Sequence, residues 1–429
     1  MQKLSLLGGT KIIKYKFKKF NTINKSEINA ATKVLKSGHL SNFLGTNSKN
    51  FYGGTNVRKL ENAFKSYFKV KFAISVNSWT SGLIAAIGSL DIEPGDEIIL
   101  PTWTMSACAS AILNWNAIPV FADIEDKTFC IDPESIKKNI SKKTKAILAV
   151  DIFGHPANLG KIKKIAKKYK LKIISDTAQA PGALYKGKFA GTISDIGGFS
   201  FNYHKHIHCG EGGMIVTNNI RLARRAMLIR NHAESVIQST DKKDLSNMIG
   251  YNFRLGEIES AIVLQQLKKL KRIIKQKQVV AQILNRGLRK LEGIRIPFVK
   301  KNCTHVYYVY PLVLDSKKIK VDRKIIVKAL EAEGVQGLAS SYQNLHLLSM
   351  FQKKISYGKK SFPWSLNKNK KIKYKKGICP VAERLQTKEF LSIGICNYDL
   401  DKNDALNIVK CFKKVWLNLP KLETFNEKQ

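Results

Sequence analysis

GGFSFNYHKHIHCGEGGMIVT, residues 197–217, is the stretch on which the interpretation of the whole chain depends. An apolar run leads in, a polar segment carries Lys205, glycines turn the backbone, and a β-type run leads out. An ammonium group held between apolar strands loses hydration, so its pKa should fall toward neutrality. A neutral lysine amine can attack a carbonyl, which predicts Schiff-base chemistry with an aldehyde cofactor or a keto substrate. The competing interpretation is that Lys205 is solvated surface charge, as most lysines of this chain are.

An aspartate upstream favours the chemical interpretation. Residues 171–183, LKIISDTAQAPGA, read as a buried strand that ends in Asp176. Functional groups in open α/β sheets collect at the carboxyl ends of strands. A carboxylate there can pair with a pyridinium nitrogen and keep the ring of pyridoxal phosphate protonated. Alone, Asp176 is more simply interpreted as a helix N-cap; its pairing with Lys205 favours the cofactor.

A candidate phosphate site follows the strand-like run 72–76. The polar cluster at residues 77–82, NSWTSG, precedes an apolar helix. Free amides, hydroxyl groups and the positive end of the helix dipole suit a phosphate dianion, which makes Thr80 and Ser81 candidate ligands. Serine and threonine also cap ordinary helices, so this signal gains weight only from its order with Asp176 and Lys205.

Together these segments resemble the DegT/DnrJ/StrS family of pyridoxal-phosphate-dependent nucleotide-sugar aminotransferases. The resemblance runs from about Ser37-Gly38 to the C-terminal helix. Its most specific block is residues 199–213. The supporting motifs are PGDE (94–97), PVFAD (119–123), DIFGHPA (151–157) and GYNFR (250–254).

The resemblance implies an α/β protein with the aspartate-aminotransferase-like, type I fold. A mainly parallel, seven-strand-type sheet between helices would form the large domain, and alternation of β-type and helical runs from Lys71 to Thr217 agrees with this. We expect a large pyridoxal-phosphate domain at residues 1–290, including the N-terminal segment and a connecting helix at 254–291. A smaller C-terminal α/β domain would occupy residues 291–429.

The resemblance also implies site residues. Lys205 and Asp176 would be catalytic: Lys205 would hold pyridoxal 5'-phosphate and then move a proton as general acid and base. The implied cofactor-binding residues are Thr80, Ser81, Met105, Asp176, Gln179, Ser200, Lys205 and Asn252 of the partner subunit. His346 is a candidate substrate contact, with a surface loop histidine as the alternative.

Two positions depart from the family pattern. Met105 stands where an aromatic residue stacks on the cofactor ring; its thioether can lie on a ring face, and Trp103 is the alternative partner. Trp79 stands where the phosphate loop has glycine. The basic insert 353–376 has no family counterpart and reads as an exposed loop.

Composition limits the other classes of function. The net charge of +42 comes mainly from lysines spread over all 429 residues, with no helix-turn-helix signature, so we expect no specific nucleic-acid partner. The seven cysteines form no Cys-x-x-Cys pair, and no apolar run is long enough for a signal peptide or a membrane span. We therefore expect a cytoplasmic protein without membrane insertion. His204, His206 and His208 could share a strand face and bind a metal, but packing around the cofactor is favoured, and we expect no metal.

The expected function is amino transfer from an amino acid, L-glutamate by resemblance, to a nucleotide-linked keto-deoxy sugar, for surface polysaccharide or a related glycan. The expected assembly is a homodimer. One alternative is a pyridoxal-phosphate-dependent sugar dehydratase on the same fold; family members of that kind carry histidine where Lys205 stands here. A second alternative is a non-catalytic regulatory or nucleic-acid-binding protein. The sequence leaves open the identity of the nucleotide and of the sugar, and whether C3 or C4 of the sugar receives the nitrogen.

Overall fold

The structure is a computed structural model, and it describes residues 2–240, 243–367, 369 and 372–425. Its helices are α1 (Lys25–Ser37), α2 (Thr55–Phe68), α3 (Trp79–Gly88), α4 (Ala107–Asn114), α5 (Pro133–Asn139), α6 (Leu159–Tyr169), α7 (Ile220–Arg230), α8 (Ala233–Thr240), α9 (Glu257–Leu288), α10 (Arg323–Ala332), α11 (Ser349–Gln352), α12 (Pro380–Arg384), α13 (Lys402–Leu417) and α14 (Leu419–Glu423). Its strands are β1 (Phe72–Val76), β2 (Glu97–Pro101), β3 (Ile118–Ala122), β4 (Thr144–Val150), β5 (Lys172–Asp176), β6 (Leu184–Tyr185), β7 (Lys188–Phe189), β8 (Ile196–Ser200), β9 (Gly213–Thr217), β10 (Ile294–Arg295), β11 (Tyr310–Leu314), β12 (Leu338–Ala339) and β13 (Phe390–Ile393).

A seven-stranded sheet in the order β1-β9-β8-β5-β4-β2-β3 forms the centre of the molecule. Strands β3, β2, β4, β5 and β8 run parallel, and β9 pairs antiparallel with both β8 and β1. Strands β2, β3, β8 and β9 are buried at every residue, because helices cover both faces of the sheet. The predicted α/β fold of the aminotransferase type, with a mainly parallel seven-stranded sheet, is therefore confirmed.

A smaller antiparallel sheet, β10-β11-β13-β12, forms a second layer near the C-terminal helices. The long helix α9 contacts α1 and α2 on one side and α13 on the other, so it joins the two layers. It covers three residues fewer at each end than the predicted 254–291. Gly256, in an extended conformation, is its N-cap.

Two large hydrophobic cores cross the predicted boundary between residues 290 and 291. The N-terminal residues Leu4, Ile13 and Phe17 pack in the second core, with α10 and α13. Conversely, Leu345 and Phe351 belong to the core of the seven-stranded sheet. The division at residue 290 stays a prediction. Each core contains residues from both sides of that boundary.

The basic insert 353–376 is not the exposed loop that its composition indicates. Trp364 and Tyr374 are buried, and the Trp364 indole donates to the Tyr374 hydroxyl group at 2.8 Å. That hydroxyl group in turn donates to Pro119 O of β3 at 2.6 Å. The insert therefore packs on the sheet through its aromatic residues, a role that the surrounding lysines hide in the sequence. Lys368, Lys370 and Lys371 lie outside the described residues.

Within the described part of the chain, no helix is both long enough and apolar enough to cross a bilayer. The expected cytoplasmic location stays a prediction.

Candidate active site

Four strand ends meet at one edge of the central sheet. Asp176, the last residue of β5, pairs with Gly198 of β8. Ser200, the last residue of β8, pairs with Gly213 of β9, which pairs with Val76 of β1. The register thus brings the predicted carboxylate, the predicted serine and the start of the phosphate loop to neighbouring positions, as expected for the carboxyl ends of parallel strands.

The predicted phosphate loop forms the start of α3. Ser78 caps the helix, and its hydroxyl oxygen accepts from Ser81 N at 3.0 Å. Thr80 lies in the first turn with an exposed side chain. Gly213 lies so close to this turn that a Cβ there would come within 2.8 Å of Ser78 C and Trp79 N. A glycine is therefore required where β9 approaches the helix N-terminus.

Lys205 is held in a compact loop between β8 and β9. Phe201 N donates to Gly212 O at 2.8 Å, and Lys205 N donates to Asn202 O at 2.9 Å. The Lys205 side chain is 8% exposed, and its Nζ lies 4.5 Å from the centre of the Tyr308 ring. Burial lowers the pKa of Lys205 to about 8, an effect that the negative charge of Asp176 opposes. Sequence reasoning missed Tyr308, because its contact with Lys205 joins segments about 100 residues apart in the chain.

This pKa predicts how fast the cofactor-free protein reacts with an aldehyde. The neutral amine is the reactive form, so the rate should rise about tenfold per pH unit below pH 8 and level off above it. A lysine with the usual pKa of 10.5 would keep accelerating through pH 9.5. The measurement is borohydride trapping of pyridoxal phosphate at Lys205 across pH 6–10. Free N-acetyl-lysine, whose amine has the usual lysine pKa, is measured alongside, because the ratio of the two rates cancels the titration of the aldehyde. This ratio should be constant below pH 8 and fall about tenfold per pH unit above it, and a ratio that stays constant through pH 9.5 would contradict the prediction.

The Asp176 carboxylate is 5% exposed and accepts three hydrogen bonds. Its Oδ1 accepts from Trp79 Nε1 at 2.8 Å and from Ala178 N at 3.0 Å. Its Oδ2 accepts from Cys108 Sγ at 3.1 Å. Cys108 is completely buried, and burial together with the Asp176 charge raises the pKa of its thiol, which therefore stays a donor. Sequence reasoning missed Cys108, since nothing in its surroundings marks a buried cysteine as a carboxylate partner.

The other predicted cofactor residues differ in their surroundings. Gln179 is buried, and it accepts from Phe153 N at 2.8 Å and donates to the Tyr342 hydroxyl group at 3.2 Å. Met105 is 61% exposed. Trp103, the alternative stacking residue, is fully buried in a cluster of aromatic rings and donates to Gln386 Oε1 at 3.3 Å. Of the two, Met105 is therefore the residue whose side chain is free to meet a ligand.

His346 is neither exposed nor on a surface loop. Its imidazole is fully buried, with Nδ1 2.5 Å from Thr102 Oγ1 and Nε2 3.0 Å from Glu383 Oε1. The surface alternative is wrong, and both ring nitrogens are already engaged within the chain. These contacts give His346 a structural role and do not support the predicted substrate contact.

Asn252 lies beside the phosphate loop at the surface. Its carbonyl oxygen accepts from Asn77 Nδ2 at 3.3 Å, and its side-chain oxygen accepts from Arg254 Nε at 2.7 Å. Its side chain is exposed, which leaves it accessible to a second subunit. The role of Asn252 of the partner subunit stays a prediction.

The three alternating histidines do not converge. His206 is buried with Nε2 2.8 Å from Val306 O, while the His204 ring contacts the edge of Tyr203. Among residues 2–240, 243–367, 369 and 372–425, no group of three or more His, Cys, Asp or Glu side chains is arranged to hold a metal ion.

The residues present fit pyridoxal phosphate at three points. The start of α3 offers the exposed hydroxyl group of Thr80 and the positive end of the helix dipole for a phosphate, whereas Ser81 N is already bound to Ser78 Oγ. Asp176 offers a buried carboxylate; within the described part of the chain, one of its oxygens is bound only by a thiol, which is a weak donor. Lys205 offers a buried amine with a lowered pKa. Along this edge of the sheet, the start of α3 suits a phosphate group, Asp176 suits a ring N–H and Lys205 suits an aldehyde.

Comparisons with known proteins identify the family of the chain. Residues 21–390 match the DegT/DnrJ/EryC1/StrS aminotransferase family. The spore coat polysaccharide biosynthesis protein SpsC of Bacillus subtilis is 31% identical over 80% of this chain and 87% of its own length. GDP-perosamine synthase of Escherichia coli O157:H7 is 35% identical over 61% of this chain and 70% of its own length. An aminotransferase structure from Psychrobacter cryohalolentis, 27% identical, superposes with a TM-score of 0.81 over 94% of this chain and all of that one. The chain therefore belongs to the DegT/DnrJ/EryC1/StrS aminotransferase family, and it is a pyridoxal-phosphate-dependent transaminase with the type I fold.

Proposed function

We propose that the enzyme transfers an amino group from L-glutamate to the ketone carbon of a nucleotide-linked keto-deoxy sugar. The product would be an amino sugar for a surface polysaccharide or a related glycan. The observation that carries the proposal is the buried amine of Lys205, which shares one sheet edge with the Asp176 carboxylate and the start of α3. The names of the relatives, a polysaccharide biosynthesis protein and a GDP-perosamine synthase, support a sugar nucleotide as substrate.

In this proposal Lys205 moves the proton. Bound pyridoxal phosphate supplies the electron sink for the reaction. The neutral Lys205 Nζ would take a proton from the α-carbon of the amino donor, and the resulting ammonium would deliver it to the methine carbon of the cofactor. A pKa of about 8 suits both tasks near neutral pH, because neither protonation state is strongly disfavoured. Asp176 would accept a hydrogen bond from the ring nitrogen and hold the proton of that nitrogen in place.

The phosphate end is proposed to use Thr80, Ser81 and Ser200, with Asn252 of the partner subunit. Ser200 is buried at the end of β8, directly opposite Gly213 in the register. Gln179 and Met105 would meet the ring. The enzyme would then be a homodimer, since each site would borrow one residue from the other subunit.

The proposal is tested by supplying 15N-labelled L-glutamate with GDP-, UDP- and dTDP-linked 3-keto and 4-keto deoxyhexoses. One of these should yield a 15N-labelled amino sugar and an equal amount of 2-oxoglutarate, measured by mass spectrometry. Loss of water from the sugar without net gain of 15N would instead support the dehydratase alternative. No turnover of any sugar, with salt-sensitive binding to DNA, would support the nucleic-acid-binding alternative.

A further inference from the structure

The tryptophan that replaces glycine in the phosphate loop contacts the catalytic carboxylate. Trp79 is the first residue of α3, and it is 5% exposed. Its indole Nε1 donates to Asp176 Oδ1 at 2.8 Å. Trp79 therefore links two proposed binding groups. It lies on the helix that would bind the phosphate, and it donates to the carboxylate that would bind the ring nitrogen.

The hydrogen bonds divide the Asp176 carboxylate into two unlike oxygens. Oδ1 receives two N–H donors, from Trp79 and from Ala178 N. Among the residues that the structure describes, Oδ2 receives only the Cys108 thiol, at 3.1 Å. A carboxylate oxygen has two lone-pair sites, so Oδ1 is filled, whereas Oδ2 can still accept one strong donor. This pattern selects the oxygen that would face a ring N–H.

The indole is fixed in its slot by two glycines. A Cβ on Gly82 would lie 2.5 Å from Trp79 Cε3, and a Cβ on Gly198 would lie 2.1 Å from Trp79 Cζ3. Both distances are well inside van der Waals contact, so the ring fills space that any other residue at these positions would occupy. Gly82 lies on the same helix and Gly198 pairs with Asp176 across the sheet, so the slot spans both elements of the site.

We propose that Trp79 is a positioning residue that orients the Asp176 carboxylate and fixes its distance from the helix N-terminus. The indole donates to Oδ1 and thereby leaves Oδ2 to face the ring nitrogen. It also fixes the spacing between the carboxylate and the helix N-terminus, the two points that would bind one ligand. The inference depends on the proposed placement of the ring against Asp176. A ligand held at both ends gains affinity when the two anchor points are rigidly spaced.

The main test is the affinity of the cofactor-free protein for pyridoxal phosphate in Trp79→Phe, measured by equilibrium titration and by the rate of cofactor release. Loss of one hydrogen bond to a charged group should raise the Kd about tenfold. Trp115→Phe is the matched control, because Trp115 is also buried and its indole donates to Ile84 O at 2.7 Å. Both variants should lower the melting temperature, and only Trp79→Phe should change the Kd.

A second variant separates orientation from loss of packing. Gly82→Ala keeps every hydrogen-bonding group and favours the helix, yet its methyl group must displace the indole. Gly82→Ala alone should raise the Kd for pyridoxal phosphate. Added to Trp79→Phe it should raise the Kd little further, since both changes act through the same contact.

Three results would overturn the inference. The first is an unchanged Kd in Trp79→Phe, and the second is an equal rise in Trp79→Phe and Trp115→Phe. The third concerns Asp176→Ala, which should raise the Kd more than Trp79→Phe. If Asp176→Ala leaves the Kd unchanged, the proposed placement of the ring fails and the role of Trp79 fails with it. If only Asp176→Ala raises the Kd, the placement stands and the role of Trp79 alone is refuted.

Discussion

Replacing Lys205 with alanine is expected to reduce amino transfer about a thousandfold or more and to abolish covalent attachment of the cofactor. The amine is the proposed proton carrier, and general acid–base groups contribute two to four powers of ten to a rate. The adjacent His204 is a poor substitute as a base, because burial, the largest cause of its lowered pKa, persists when Lys205 is removed. Turnover of 15N-labelled glutamate measures the loss, and borohydride reduction followed by peptide mapping locates the attachment.

Lys277→Met is a matched control for a buried lysine. Lys277 is 1% exposed and donates to Ile395 O and Tyr398 O at 2.8 and 2.7 Å, so it holds backbone together. This variant should lose stability but keep attachment at residue 205. Turnover by Lys205→Ala at the native rate would contradict the assignment of the amine.

Lys205→Ala also tests whether two subunits share each active site. Unfolding and refolding an equal mixture of Lys205→Ala and Asn252→Asp chains should restore about a quarter of native activity, since half of the dimers are mixed and each has one intact site of two. Each variant alone should have little activity. No recovery in the mixture would argue against sharing of Asn252 between subunits.

The second large effect is expected on stability, from Lys414→Met. Lys414 and Glu333 form a buried ion pair, with Nζ 2.8 Å from Glu333 Oε1 and exposures of 6% and 0% for the two side chains. Removal of the cation leaves a buried carboxylate without a charged partner, which costs about 3–5 kcal/mol of the free energy of unfolding. Urea denaturation followed by circular dichroism measures the change.

A double variant shows whether uncompensated charge is the cause. Glu333 also accepts from Ser5 N at 2.8 Å and Ile12 N at 3.2 Å, and a glutamine there keeps an acceptor for one of them. Lys414→Met with Glu333→Gln should therefore recover part of the stability lost by Lys414→Met alone. Glu134→Gln, which breaks an exposed pair with Lys137, should leave the urea midpoint unchanged. A Lys414→Met midpoint equal to that of the native protein would refute the argument.

Local chemistry made much of the site predictable from the sequence. Lys205, Asp176 and the Ser/Thr cluster before α3 each carry a signal in their own neighbours: an apolar approach, a polar end and a turn. Strand ends in a parallel sheet meet at one edge, so three local signals were enough to predict that these residues lie close together.

Contacts between distant segments of the chain could not be predicted from the sequence. The hydrogen bond from Trp79 to Asp176 joins residues on different elements, and the burial of His346 depends on Glu383 and Thr102. The insert 353–376 was misread because its lysines dominate the composition while Trp364 and Tyr374 make the contacts. Periodicity describes which face of an element is apolar, and it carries no information on which partner covers that face.

The attachment of residues 2–20 to the second core has a consequence for protein synthesis. The carboxylate that binds Ser5 N and Ile12 N is more than 300 residues further along the chain, and Lys414 binds Thr10 O across 404 residues. At a translation rate of 5–20 residues per second, these first residues wait roughly 15–80 s for their partners to leave the ribosome. During that interval Leu4, Ile13 and Phe17 are uncovered, so a nascent chain should offer a chaperone site that disappears only when α13 has been made.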